Sequence, residues 1–509
     1  MADQQHIQWL EEGVESWNKR RAEHPFKPDL SRARIGVLPD PLKLIQYRPS
    51  ELANCTNPPA DWPGIPLSGI NLSGANLLQT QLNCADLTDA DLTDANLDHA
   101  NLNQAFLCRA KLNNAKMRNA ILSHTKLNGA QLRNTKLDES NLQAASLNDA
   151  DLSQATVTGA YINNTYTAGT NLVHTDLSDA QYLPPELWKA KLYPDDESPR
   201  QYELESKSVE TIELLLRRIK DIKAFYADQD DELLFYFRGE SQCGWKLRPS
   251  VMRNHQLFSS EGKMLLELLS RRPEDFEGVS TALDQWVLAQ HHGLKTRFLD
   301  ITSNPLAALF HACGTENAER PDDGRLHVFA TPRSLIRPFS SDTLSVIANF
   351  ARLSRDDQRA IMPAPVLANY KEAMRRLYYL IRNEKPNFEE RIDPRDHYRV
   401  IVVEPQQSSE RIRAQSGAFL VSTFHQRFER AEILKLNPNT PVYAHYELTV
   451  PRERKTAIRD ELRLLNVTRE KLFPGLDASS ETITEQVLAS RATGTAPSTQ
   501  DNWNLMRSD

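Results

Sequence analysis

Cysteine is scarce: five residues in 509 (Cys55, Cys84, Cys108, Cys243 and Cys313), an odd number with no Cys-x-x-Cys pair. That scatter argues against a disulfide frame or a zinc knuckle and fits a reducing compartment. No apolar run approaches the roughly 20 residues of a membrane span. The opening Met-Ala-Asp-Gln-Gln-His lacks the basic and apolar regions of a secretory signal. A cytoplasmic location without a membrane partner is expected. There is no P-loop, dinucleotide fingerprint or Ser-His-Asp array. Excess positive charge is missing too. The net charge of −7 argues against a protein that grips nucleic acid with its whole surface, though not against a local basic patch.

What is present is a period of five. From Leu72 to Leu177 an aliphatic residue stands at every fifth position (Leu72, Leu77, Leu82, Leu87 and onward through Met117, Val157 and Ile162), with Thr167 the one lapse in the central register. From Leu77 onward a small residue lies two positions before each, as at Ala75, Thr80, Ala85 and Ala90. Neither the helix period of 3.6 nor the strand period of 2 explains this. So short a repeat, carried without insertion, predicts a solenoid.

The units Ala85-Asp86-Leu87-Thr88-Asp89 and Ala95-Asn96-Leu97-Asp98-His99 resemble those of pentapeptide repeat proteins. The resemblance implies a right-handed quadrilateral β-helix with the central Leu and the small residue pointing inward. Each buried Leu then contributes about 1.5–3 kcal/mol. The Asn or Asp before many of the Leu residues suits the corner turns, because its side chain can cap local backbone groups.

The predicted organisation is an N-terminal helix and solenoid cap over 1–66, the β-helix over 67–182, a plug and linker over 183–207, a second domain over 208–484 and a disordered tail over 485–509. One amphipathic helix is expected near Ile7–Arg21. Asp29–Ile35 reads as a first pentapeptide pair, cut off by the Pro-rich stretch Gly36–Pro66, which is expected to cover the open end of the coil. Leu183-Pro184-Pro185-Glu186-Leu187-Trp188 is expected to plug the other end, and Tyr193–Lys207 to be a linker.

In the second domain the sequence predicts helices over Val209–Phe225 and Thr281–His292, with Ile458–Leu465 and the turn into Leu472-Phe473-Pro474 closing the domain. A further helix is expected to start at Asn304-Pro305 and stop at Gly314, with strands at Leu233–Phe237, Arg297–Ile301, Leu326–Ala330 and Tyr398–Val403. The order Phe237-Arg238-Gly239-Glu240, Trp245-Lys246-Leu247-Arg248-Pro249-Ser250, Gln290-His291-His292-Gly293, Thr296-Arg297, Asp300, Asn304-Pro305-Leu306 and Gln415-Ser416-Gly417-Ala418-Phe419 resembles the FRG domain. One departure is Ile301, where that family usually has Trp. The resemblance implies an α+β domain of a kind found in bacterial and phage proteins, often beside repeat or regulatory modules.

The same order is similar to that of mono-ADP-ribosyltransferases of the Arg–Ser–Glu type. That similarity implies Arg238, Glu240, Asp300 and Gln415 as catalytic candidates. Gly239, His291, His292, Arg297, Thr302, Ser303 and Asn304 follow as ligand-binding candidates, with NAD as the cofactor. Gly239 would let the backbone approach the nicotinamide amide, and a guanidinium suits bidentate phosphate contact. Gln415 cannot supply the negative charge that steadies an oxocarbenium-like transition state, so Glu240 or Asp300 would substitute.

Plainer readings stand beside these. Arg238 with Asp300 forms a buried ion pair or a ligand site. Asn304-Pro305 starts a helix, whose N-terminus could also hold a phosphate. His291 and His292, adjacent at a helix end, lack the spacing and third ligand of a metal site, so no metal is expected. Trp245 and Trp286 read as core before they read as stacking platforms.

Along the repeats an acidic block (Asp86, Asp89, Asp91, Asp94, Asp98) precedes a basic one (Arg109, Lys111, Lys116, Arg118, Lys126, Arg133, Lys136), and acid returns at Asp138, Glu139, Asp149 and Asp151. Some pentapeptide proteins mimic DNA with an all-acidic rod; the basic band argues against that here. A patterned surface for a protein partner or for self-assembly fits better, with a merely solvated surface as the alternative. The function expected is a cytosolic bacterial effector of toxin or anti-phage type, with a partner-binding solenoid and an FRG domain that binds a nucleotide-like ligand. A non-catalytic scaffold and a nucleic-acid-targeting protein using Arg238, Arg248, Arg253 and Arg297 are the alternatives.

Overall fold

The computed structural model describes residues 2–35, 58, 64–178, 180, 187, 190–192, 199, 201–227, 233–314, 322–361, 369–389, 392–393, 395–405, 413–414, 416–436 and 440–473. The repeats wind into a β-helix. Parallel bridges join the residue before each inward aliphatic to the one twenty positions on, Asn76 to Asn96, Asn96 to Lys116, Lys116 to Lys136. With one side per five residues, each coil has four sides. From Leu77 to Leu152 no inward aliphatic is more than 3% exposed. Thr167, at the lapse, still points inward and is buried, and its hydroxyl finds no partner among the described residues. Thr125 and Thr135, at small-residue positions, each donate a 2.8 Å hydrogen bond to the carbonyl of Leu102 or Leu112 in the preceding coil.

The corners divide their work between two positions. The Asn or Asp before Leu forms the bridge and accepts from the N–H two residues on, as Asp86 Oδ1 does from Thr88 N at 3.0 Å. The left-handed backbone falls two residues after Leu, at Asp89 (φ 57°), Asp94 (φ 59°) and Asn114 (φ 61°). Asn and Asp tolerate that region better than other side chains. Leu112→Asp would bury an unpaired charge in the middle coil at a cost of several kcal/mol. A chemical denaturation midpoint unchanged from wild type would show the inward register to be wrong.

At the N-terminal end, two helices replace the single one expected: α1 (Gln4–Glu11) and α2 (Val14–Glu23), broken at Gly13, whose φ of 98° no helix accommodates. They close the coil themselves. Trp17 is fully buried and donates from Nε1 to the Asn71 carbonyl at 2.7 Å. Asp29 and Arg34 bridge to Asn76 and Gln81, and Pro66 and Asn71 bridge to Asp86 and Asp91. Asp29–Ile35 therefore supplies two sides of the first coil, and the chain returns near Pro66 for the other two. Most of the intervening stretch (36–57 and 59–63), expected to be the cap, lies outside the described residues. So do the tail and all of the expected plug except Leu187, which is buried.

The second domain is built on strands β1 (Leu233–Glu240), β2 (Leu299–Thr302), β3 (Gly324–Pro332), β4 (Ile336–Pro338), β5 (Ile401–Glu404), β6 (Gly417–Val421) and β7 (Ala444–Val450). Among the described residues they form one sheet in the order β4-β5-β6-β2-β1-β3-β7, antiparallel except for β4 beside β5. Two apolar clusters cover one face. Over β1, β3 and β7 lie α3 (Ile212–Phe225), α6 (Pro305–Cys313) and α9 (Lys455–Leu464). Over β5 and β6 lie α4 (Glu261–Arg271), α5 (Ala282–His291) and α7 (Asp342–Phe350).

The stretch expected to be a linker is partly structured: Gln201 bonds to the backbone of His445, and Lys207 accepts from Thr449 N at 2.7 Å on the edge of β7. Helix α8 (Tyr370–Glu384) meets the last coils. Tyr370 Oη donates to the Ala180 carbonyl at 3.4 Å, and Lys371 Nζ stands 5.2 Å from the Tyr161 ring centre. Tyr370, Met374, Leu377 and Ile381 belong to the same continuous apolar cluster as the solenoid interior.

Candidate functional site

Alternation along β1 places Phe237 and Gly239 toward the helix-covered face, and Tyr236, Arg238 and Glu240 toward the other. A Cβ at Gly239 would lie 1.8 Å from the Ala308 carbonyl oxygen and 2.6 Å from Ala312 N. The glycine therefore admits helix α6 against the strand. That replaces the expectation that it brings the backbone close to a ligand.

The expected Arg238–Asp300 ion pair is not formed. Arg238 donates from Nε to Glu240 Oε1 at 3.2 Å, and from Nη1 to the backbone carbonyl of Asp300 at 2.7 Å. The Asp300 carboxylate accepts instead from Gln290 Nε2 at 2.8 Å and is exposed. Glu240 is 1% exposed at its side chain. Its other oxygen faces His327 Nε2 at 3.4 Å. Burial pushes the Glu240 carboxyl up, but the bond to His327 and the charge of Arg238 outweigh it and hold the group below its ordinary value.

The line continues across the sheet: His327 Nδ1 is 2.9 Å from His445 Nε2. Burial first, then the neighbouring His327, Arg325 and Arg430, depress His445 well below the usual histidine range, so it is neutral. Glu447 stands opposite His327 in the β3–β7 register and pairs with Arg325 at 3.3 Å. Three adjacent strands thus carry one hydrogen-bonded row of Arg238, Glu240, His327 and His445.

Two further arginines reach this wall from the segment after β1. Arg253 donates from Nε to the Arg248 carbonyl at 3.0 Å, and its guanidinium lies 5.9 Å from the Trp245 ring centre. Burial lowers the Arg253 pKa most, and the charges of Arg238 and Arg248 lower it further, with Glu240 opposing. The three guanidinium groups therefore share one field. Arg248 Nη2 donates to Gln426 at 2.8 Å, while its buried Nε has no partner among the described residues. Trp245 is 42% exposed, with the Arg253 guanidinium beside its ring; Trp286 is core, donating to the Ala348 carbonyl at 3.0 Å.

The other expected site residues fall elsewhere. Arg297 is fully buried against an equally buried Glu261, with Nη2 to Oε2 at 2.6 Å, and a second guanidinium nitrogen reaches the Thr423 carbonyl at 3.4 Å. Sealed in this way its guanidinium supports the core and is turned to Glu261, where the expectation had it facing a ligand. Asn304 caps α6, accepting from Leu306 N at 2.9 Å, and Thr302 Oγ1 accepts from Asn304 N at 2.9 Å. Ser303 is exposed, with its N–H on the Ser416 carbonyl at 3.1 Å. His291 is half-buried and His292 exposed at the end of α5. Gln415 lies outside the described residues.

Sequence reasoning missed His327, His445, Glu447 and Glu261. A signal existed for two of them. In β7 the buried Ala444, Tyr446, Leu448 and Val450 alternate with His445, Glu447 and Thr449, a period-two pattern.

The architecture is that of a β-helical repeat protein carrying an α+β domain. Residues 67–97, 90–129 and 125–164 match the model of the pentapeptide repeats (8 copies), and residues 234–321 match that of the FRG domain. The chain is a pentapeptide repeat protein with an FRG domain. Among solved structures, HetL, a pentapeptide repeat protein involved in heterocyst differentiation regulation from the cyanobacterium Nostoc, is 28% identical over 25% of this chain and 66% of that chain, with a TM-score of 0.19. Rfr23, a pentapeptide repeat protein from the cyanobacterium Cyanothece, is 24% identical over 32% of this chain and 96% of that one, with a TM-score of 0.13. Full-length QnrB1, a plasmid-mediated fluoroquinolone resistance protein, is 14% identical over 25% and 77%, with a TM-score of 0.14. This chain thus spans just under two thirds of the length of HetL. No curated protein matches it.

Proposed function

We propose that this protein is a cytoplasmic two-module effector of toxin or anti-phage type, in which the solenoid binds a protein partner and the FRG domain binds a nucleotide-like ligand, NAD being the first candidate. The observation that supports the ligand reading is the grouping of Arg238, Arg248 and Arg253 beside the exposed Trp245. Guanidinium groups suit the bidentate capture of phosphate oxygens, and an exposed indole suits the face of a base. A local positive field on a chain of net charge −7 concentrates anions at this wall.

The finer reading is an ADP-ribosyltransferase-like step, which needs a carboxylate open to the ribose. Asp300 is the exposed candidate, but strand register turns its side chain to the α5 side of the sheet, onto Gln290, so it must swing past the strand to reach a ribose held at Arg238. Glu240, closed between Arg238 and His327, acts as the positioning residue for the guanidinium.

Arg253→Ala, at the rim, should keep the fold and weaken nucleotide binding at least about 10-fold, since a charge-assisted bond is worth about 1.5–3 kcal/mol. Arg238→Ala should abolish binding and any toxicity or defence phenotype, with its melting temperature measured alongside. Labelled NAD incubated with cell extract then separates binding from transfer. If wild type binds neither NAD nor another nucleotide, the ligand reading is lost and the non-catalytic scaffold takes its place.

A further inference from the structure

The row of side chains does not end with a pair of hydrogen-bonded histidines. His327 lies opposite Glu447 in the β3–β7 register, and His445 precedes Glu447 by two residues on the same strand face. One ligand atom from each of the three lies within 4.8 Å of the others. We propose that His327, His445 and Glu447 bind a divalent first-row transition metal, with Glu240 orienting His327 from behind.

The donor set supports this first. Two imidazoles and one carboxylate suit zinc or ferrous iron and leave coordination positions open for water or substrate. The second support is Glu240. A metal-binding histidine presents one ring nitrogen to the ion and donates its other N–H to a carboxylate or carbonyl, which fixes the tautomer. Glu240 Oε2 faces Nε2 of His327 at 3.4 Å. That leaves Nδ1 as the nitrogen turned toward His445 Nε2, 2.9 Å away.

Ligand atoms around tetrahedral zinc stand about 3.3 Å apart, given bonds of about 2.0–2.1 Å. The two nitrogens must therefore part by only about 0.4 Å, and His445 must carry its proton on Nδ1. Glu447 is shared with Arg325 at 3.3 Å, and a carboxylate has two oxygens to divide between them. The site is separate from His291 and His292, the histidines that the sequence singles out.

The experiment uses the full chain, stripped with a chelator and titrated with Zn²⁺ by calorimetry, with the metal counted by mass spectrometry. One tightly bound zinc per chain is expected. Glu447→Gln and His445→Asn should each weaken binding at least 100-fold. Glu240→Gln should weaken it about 10- to 100-fold, as loss of an orienting partner does. His292→Asn should leave it unchanged. Glu447→Gln is isosteric and only half-buried, and its metal-free circular dichroism and melting temperature show whether the fold survives. Absence of stoichiometric zinc in wild type, or affinity that persists in both Glu447→Gln and His445→Asn, overturns the proposal.

Discussion

A Gly239→Ala variant should melt about 6–12 °C below wild type, the shift that a loss of at least about 3 kcal/mol produces in a domain of this size. The added methyl group would meet the backbone oxygen of Ala308 at 1.8 Å and the backbone nitrogen of Ala312 at 2.6 Å. No side chain can rotate away to relieve that, so strand β1 and helix α6 must separate. Gly244 is the internal control: nothing lies within 4 Å of a Cβ built there. Gly244→Ala should change stability by no more than about 0.5 kcal/mol. Equal melting temperatures for Gly239→Ala and wild type would mean that helix and strand are not packed as described.

The second large effect is at Arg297. Arg297→Met should cost about 3–5 kcal/mol, because it removes one partner of a fully buried ion pair and leaves Glu261 without it in the interior. The backbone N–H of Arg297 also donates to Glu261 Oε1 at 3.1 Å, so an acceptor is best kept there. The double variant Glu261→Gln, Arg297→Met keeps that acceptor and removes the charge, and should recover much of the loss. A double-mutant cycle measured by denaturant unfolding should give a coupling of about 2–3 kcal/mol. Strictly additive costs would show that the two side chains do not act as a pair. Nucleotide affinity of the folded double variant should match wild type, since the Arg297 side chain is fully buried against Glu261.

The solenoid was legible because its information is local. Each five-residue unit states its own inward residue, and the coil follows from repetition. The break at Gly13 was harder, because Trp9, Leu10, Val14 and Trp17 keep a helical spacing across it while one positive φ interrupts the chain. In the second domain, Arg238 and Glu240 were found from the Phe-Arg-Gly-Glu run, but their partners were not. His327 is 87 residues from Glu240, and His445 is 118 from His327. Only strand pairing brings them together.

Gly239 was misread for a related reason. A glycine reports that something approaches closely, and nothing in its own neighbourhood says whether that is a ligand or a helix. The helix was itself legible from Asn304-Pro305, yet its docking site was not. Arg297 shows the limit from the other side. An arginine in a motif looks like a ligand contact until its buried carboxylate, 36 residues earlier, is in view.

Helix α8, whose apolar side is continuous with the interior of the last coils, makes the two modules share a seam. The covalent connection is then the lesser of the two joints, and the rod is a shaft set into the domain instead of a bead on a flexible string. A load placed on the solenoid wall would pass through this seam into α8. Expressing either half alone would leave a greasy scar where the other had been.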